Sequence, residues 1–267
     1  MRRVCAWPGL AALAVICGAS APEAAPLPAC TGAIEAAGVQ VMRVEQNGAL
    51  ILADGRAIHA EGIVLPGGAR DRAPDYFAGQ ALNALSTLTH GRGVTLTATP
   101  PKEDRFGRLR AQIFVLDDSD DAWVQIAMLK RGLARTALAP DRVECAREFY
   151  DAEAGARAAH YGIWSNPAYA IRTPQTVGRD LGTFQIVEGK VLRAGLKDGR
   201  AFLDFGADWK TDFTVVISPS DLAAFRARGV DPRDYAGKTV RVRGYVEWHN
   251  GPQIEAAVPE DIEVVEP

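Results

Sequence analysis

Three clusters in this chain hold side chains able to do chemistry. His59 and Glu61 stand two residues apart in AIHAEGIVLPGG (57–68), so on a strand they share one face. An imidazole beside a carboxylate can form a polar ligand site, but a satisfied His–Glu pair is the plainer reading. Arg105 and Arg108 in EDRFGRLR (103–110) offer guanidinium groups for a phosphate or carboxylate. Against that, Arg108 also has Asp104 and Glu103 close enough in sequence to pair with it. The third cluster is KTVRVRGYVEWHNG (238–251), where Arg241, Arg243 and Tyr245 are candidates to hold a ligand. Tyr245, with Arg243 on its own face, is the best ring for stacking a base. Trp248 shares parity with Val246 and is expected to pack, as are Trp209 and Phe213.

Several chemistries are excluded by pattern. DDSDD (117–121) lacks the glycine and terminal glutamate of a calcium loop, and reads as a solvated turn. His160 and His249 are isolated, so no His/Cys grouping points to zinc. There is no Gly-rich phosphate loop and no nucleophile elbow.

The elements that must position these residues alternate between two periods. Residues 39–67 carry Val39, Val41, Leu50, Leu52, Ile58 and Ile63 in short strands separated by Asn47-Gly48 and Asp54-Gly55. Residues 74–90 switch to helical spacing through Phe77, Ala81, Leu85 and Leu88. Strands follow at 93–99 and 108–115, then helices at 123–134 and 141–162 that stop at Gly132 and Gly162. NPAYAIRTPQTVGRDLG (166–182) has no clear period and reads as a linker. From 183 the strand pattern restarts: three strands, a short helix, then two strands, the order of an OB barrel. The expected fold is mainly β with α: short strands and three helices over 31–165, then an OB-type barrel over 183–267.

The N-terminus reads as a signal peptide over residues 1–25, with MRR followed by the apolar run GLAALAVICGASA. A periplasmic or secreted location follows, with no membrane span in the mature chain. Cleavage leaves Cys30 and Cys145, an even pair in an oxidising compartment, and a disulfide between them is expected. Residues 31–169 hold 15 Lys/Arg and 17 Asp/Glu, and residues 184–267 hold 11 and 14. Neither half is basic, so a general grip on phosphate backbones is not expected of either.

Residues 41 to about 165 resemble the staphylococcal-nuclease-like (thermonuclease) family. EDRFGRLRAQIFV (103–115), VQIAMLKRGLAR (124–135) and EFYDAEAGARAAHYGIWS (148–165) carry its motifs in order. The resemblance implies a five-stranded OB barrel with three helices. It also implies a calcium-dependent phosphodiesterase, with two aspartates on the ion, a glutamate on water and two arginines on phosphate. In this chain the first aspartate falls on Gly48, the second on Val64 and the glutamate on Gly67. The first arginine falls on His59, and only the second persists, as Arg108. The expectation is therefore no catalytic residue set, no metal site and no cofactor, because the calcium ligands are absent.

The reading that follows is a thermonuclease-fold protein that binds single-stranded nucleic acid, another ligand or a protein partner without cleaving it. Two alternatives stand beside it. One is a divergent metal-dependent nuclease built on Glu45, Glu61 and His59. The other is an envelope protein–protein adaptor with no nucleic-acid affinity.

Overall fold

The computed structural model describes residues 27–116, 122–208 and 210–265. The expected signal segment, the DDSDD turn and Trp209 therefore lie outside the described residues. The first half is built on β1 (Ala33–Val44), β2 (Leu50–Leu52), β3 (Ala57–Ala60), β4 (Ile63–Val64), β5 (Gly93–Ala98), β6 (Leu109–Val115) and β7 (Arg135–Thr136). Its helices are α1 (Tyr76–Thr89), α2 (Val124–Lys130) and α3 (Ala146–Ala158). β1, β2, β3, β6 and β5 close into a barrel in that order, with β3 and β6 parallel and the other pairs antiparallel.

The periodicities are those of the sequence. Phe77, Ala81, Leu85 and Leu88 are the buried stripe of α1. Val94 and Leu96 of β5 meet Ile113 and Val115 of β6 inside the barrel. The one long element the alternation understates is β1, which begins at Ala33 rather than Val39. Its early residues are mostly exposed, so little apolar signal marks them.

Gly132 and Gly162, expected as helix stops, do more than stop helices. A Cβ on Gly162 would sit 2.1 Å from the Gly132 carbonyl oxygen, and one on Gly132 would sit 2.2 Å from that of Tyr161. The Ile163 amide donates to the Gly132 carbonyl at 2.8 Å across this contact. The two motifs are thus one backbone-to-backbone joint that only glycine permits. Cys30 and Cys145 sit with sulfurs 2.17 Å apart, at disulfide distance, joining the start of the barrel to the head of α3.

The second half contains β8 (Phe184–Lys190), β9 (Arg193–Lys197), β10 (Arg200–Asp204), β11 (Thr214–Ile217), α4 (Leu222–Ala227), β12 (Thr239–Tyr245), β13 (Glu247–Trp248), β14 (Pro252–Glu255) and β15 (Ile262–Val264). β9, β10, β11, β14 and β13 form one sheet, and β8, β12 and β15 another. β8 runs into β9 and β12 into β13, so the pairing follows the same cyclic order as the first barrel. It is interrupted where those two strands bend. Phe213, Phe225, Val215 and Ile254 fill its centre.

Residues 166–182 lie along the free edge of β8. The Arg172 amide donates to the Ile186 carbonyl at 2.8 Å, and the Arg172 carbonyl accepts from the Glu188 amide at 2.9 Å. Tyr169 and Val177 of this segment are buried. It is tied down by Arg172, whose guanidinium donates to Asp180 and to the carbonyls of Pro167, Ala168 and Ala170.

Candidate functional site

β3 carries Ile58 and Ala60 into the barrel, which turns His59 and Glu61 outward together. Their shared face is as expected, but their pairing is not. Glu61 is bound by Arg110, whose Nε and Nη2 donate to its carboxylate at 2.8 and 3.1 Å. The same guanidinium holds Asp141 with two bonds of 2.8 Å. Parallel pairing of β3 with β6 sets His59 opposite Arg110, which brings the guanidinium to Glu61 rather than leaving that carboxylate for the imidazole. The two acids raise the Arg110 pKa, with Asp141 the stronger contributor.

His59 is half-buried, and burial depresses its pKa. The negative Glu61 opposes that shift and Arg108 adds to it. The neutral form of the ring is therefore favoured. It stands between two concavities. One, of about 540 Å³, runs past Asn47, Gly48, Val64 and Gly67 to α1. The other, of about 720 Å³, is bounded by Glu61, Arg108, Arg110 and the loop 137–141.

Arg108 is held in place by its own turn. Its Nε donates to Asp104 Oδ2 at 2.7 Å, while Oδ1 of the same carboxylate accepts the amides of Phe106 and Arg108 at 2.8 and 3.0 Å. The carboxylate builds the turn and neutralises the guanidinium together. Arg105 lies over the ring of Phe106, 4.8 Å from its centre, and Arg108 lies 5.2 Å from it. Phe106 is 67 % exposed, leaving an aromatic flanked by two cations on the rim of the larger concavity.

At the three positions where the resemblance implies carboxylates, the groove is lined by Gly48, Val64 and Gly67. The nearest acids are committed elsewhere. Asp71 accepts from the Gly67 amide and from Arg135, and Asp75 accepts from the Ala69 amide. Glu45 pairs with Arg43 at 3.1 Å and does not line the groove. Among the described residues no three His, Cys, Asp or Glu side chains gather closely enough to hold a metal ion. This donor set does not fit calcium, which requires several oxygen ligands.

Residues 60–166 match the family model described as staphylococcal nuclease homologue. Those residues are a staphylococcal nuclease homologue domain. No curated protein matches the chain.

The remaining candidates lie beyond this nuclease-homologue domain, and there the structure corrects the expectation. Arg243 is not on a ligand face. It is 3 % exposed and donates to Glu153 of α3 at 2.8 Å and to Glu263. Burial opposes its charge, but Glu153, Tyr150 and Glu263 hold it and raise its pKa. Arg241 is paired with Glu188 at 2.6 Å and Glu263 at 3.6 Å. Strict alternation along β12 put these arginines outward, but outward there means toward the nuclease-homologue domain. Tyr245 is 59 % exposed, its ring edge-on to Phe184. Trp248 is 62 % exposed rather than packed, because the strand bends at Val246 and parity does not carry across.

The sequence reading missed the residues that join the halves. Glu153 is fully buried, accepting from the Thr136 amide at 2.8 Å and from Arg157 at 3.1 Å as well as from Arg243. Burial raises its pKa, but Arg243 and Thr136 more than offset that and hold it low. Arg135 bridges Asp71 at 2.7 Å and the Phe184 carbonyl at 2.6 Å. A signal for Glu153 existed. It falls in the helical stripe Phe149, Ala152, Glu153, Ala156, where a carboxylate is out of place unless paired.

Proposed function

We propose that this is a secreted, non-catalytic binding protein built on the nuclease-homologue fold. The carrying observation is the groove where Gly48, Val64 and Gly67 stand, with the nearest carboxylates already committed to Arg135 and loop amides. Phosphodiester attack builds charge that a metal and arginines must stabilise. Here the metal's ligands are gone and Arg108 is neutralised by Asp104. What the cleft keeps is a contact surface, Phe106 between Arg105 and Arg108, suited to a base or another flat anionic group. Secretion is supported by the MRR-led apolar run at residues 1–25 and by Cys30 and Cys145 at disulfide distance.

The test is a cleavage assay on single-stranded DNA and RNA with calcium, magnesium, manganese or zinc, and oligonucleotide binding measured on the same sample. The expected result is no calcium-dependent cleavage at micromolar protein, with binding that weakens as salt rises. Calcium-dependent cleavage abolished by Arg108→Ala would overturn this function. Cleavage with another metal that Glu61→Ala abolishes would replace it with a divergent nuclease. Binding to no oligonucleotide at low salt would leave the protein-adaptor reading in its place.

A further inference from the structure

The outer face of the β9–β10 hairpin has the composition the sequence sought, and failed to find, on β12. Ala201 and Leu203 of β10 are fully buried, so Arg200, Phe202 and Asp204 point away from the core. The register sets Lys197 beside Arg200, Gly195 beside Phe202, and Arg193 beside Asp204. Phe202 is thus half-buried in the middle of the face, with a glycine for its neighbour on β9. A Cβ at Gly195 would meet nothing within 4 Å, so the space beside the ring is open. A concavity of about 450 Å³ lies there, lined by Arg193, Gly195, Leu196, Lys197 and Phe202, with Asp204 at the Arg193 end.

The charge along the hairpin leans positive. Arg193, Lys197 and Arg200 stand against Asp198 and Asp204, in a half that is acidic as a whole. Arg193 leans on Asp204 at 3.6 Å. Lys197 and Arg200 are exposed and have no ion-pair partner among the described residues. Arg193 and Lys197 lie four residues apart on one strand face, roughly 13 Å along an extended chain. Cations therefore sit at both ends of an apolar patch with an aromatic ring at its centre.

We infer that this face binds single-stranded nucleic acid, with a base against Phe202 over Gly195 and the backbone held by Lys197 and Arg200 at one end and Arg193 at the other. The inference rests on the binding reading of the whole chain but on different residues from those of the cleft. The ring favours a single strand, because a duplex keeps its base faces stacked away. An acidic peptide would use the cations but has no need of a flat gap beside a ring.

The test is fluorescence anisotropy of a labelled oligothymidine with the full chain, over a salt series. Phe202→Ala should weaken binding about tenfold or more, the range expected for one stacked base. Phe202→Leu, which keeps the volume in the half-buried seat, should weaken it similarly, so loss of fold cannot explain the effect. The double variant Lys197→Glu/Arg200→Glu, at exposed positions, should weaken binding further and flatten its salt dependence. Wild-type affinity in the Phe202 and double variants would overturn the inference, as would equal competition by a duplex or by polyglutamate. Phe106→Ala separates the two sites. Loss there with no effect at Phe202 would sink this face and leave the cleft reading, and the reverse pattern would keep this face alone.

Discussion

In the cleft of the nuclease-homologue domain, Arg110 holds Glu61 and Asp141, and Asp141 is 42 % exposed. At the seam between the halves, Arg243 holds Glu153 and Glu263, and the side chains of Arg243 and Glu153 are 2 % and 0 % exposed. Both are an arginine between two acids. The first is open to water on its Asp141 side, where the charge is screened and Asp141 can change with modest consequence. The second is closed, so each charge depends on its partner. Gly48, Val64 and Gly67 stand at the positions where the resemblance implies catalysis, while a fully buried arginine–carboxylate bridge stands where β12 meets α3. In this chain the closed arginine–carboxylate bridge lies between the two halves, and the open one lies in the cleft.

That contrast can be broken most directly at the seam. Arg243→Ala should destabilise the protein by about 3–5 kcal/mol, because Glu153 would remain buried with only Arg157 as a cation. Urea unfolding measures it, and a change below about 1 kcal/mol would show the seam to be no tighter than the cleft. Reducing Cys30–Cys145 should cost about 2–4 kcal/mol, read as a drop in Tm with reductant, since the pair closes a 115-residue separation.

Asp261 tests the seam through pH. Burial is the main cause that pushes its pKa up to about 6, only partly offset by the Ala257 and Val258 amides and by Arg243. Its folded value exceeds the unfolded one, so the native state binds the extra proton between about pH 4 and 6. Its contribution is present at low pH and lost as pH rises through 6. Asp261→Asn should therefore raise stability at pH 7, by roughly 2 kcal/mol, and change little at pH 4. Equal effects at both pH values would contradict this.

The smallest effect belongs to the cleft. An NMR titration of His59 should give a midpoint below the ordinary histidine value, since burial lowers it. Glu61→Gln should lower it further by removing the opposing negative charge. A rise in that variant would mean that Glu61 is not the nearest charge acting on the ring. Stability should fall by about 1–2 kcal/mol, because Arg110 keeps Asp141.

Most of the first barrel was legible because its signals are local. The stripe of α1, the strands at 93–99 and 108–115 and the glycines at 132 and 162 each follow from spacing within one element. The second half was legible in order but not in orientation. Alternation along β12 says which residues are opposite one another. It cannot say whether the face away from the core meets water or a neighbouring domain, and so Arg243 was read as a ligand contact and Trp248 as core. The hairpin carrying Phe202 gives no signal of its own because its residues are ordinary one by one. Only the register that sets Gly195 beside Phe202 and Lys197 beside Arg200 makes them a face.

The amino-acid sequence by itself determined the strand and helix order, the barrel that order builds and the cysteine pair. These depend on residue type and on periods of two and 3.6, which any segment carries with it. Only the tertiary structure decided that Glu61 belongs to Arg110, that Glu153 and Arg243 close a buried bridge across the seam, and which aromatic on the second barrel stands among cations. Those are contacts between residues 49, 90 and more positions apart, fixed by how strands pair and how barrels dock, and no local pattern encodes them.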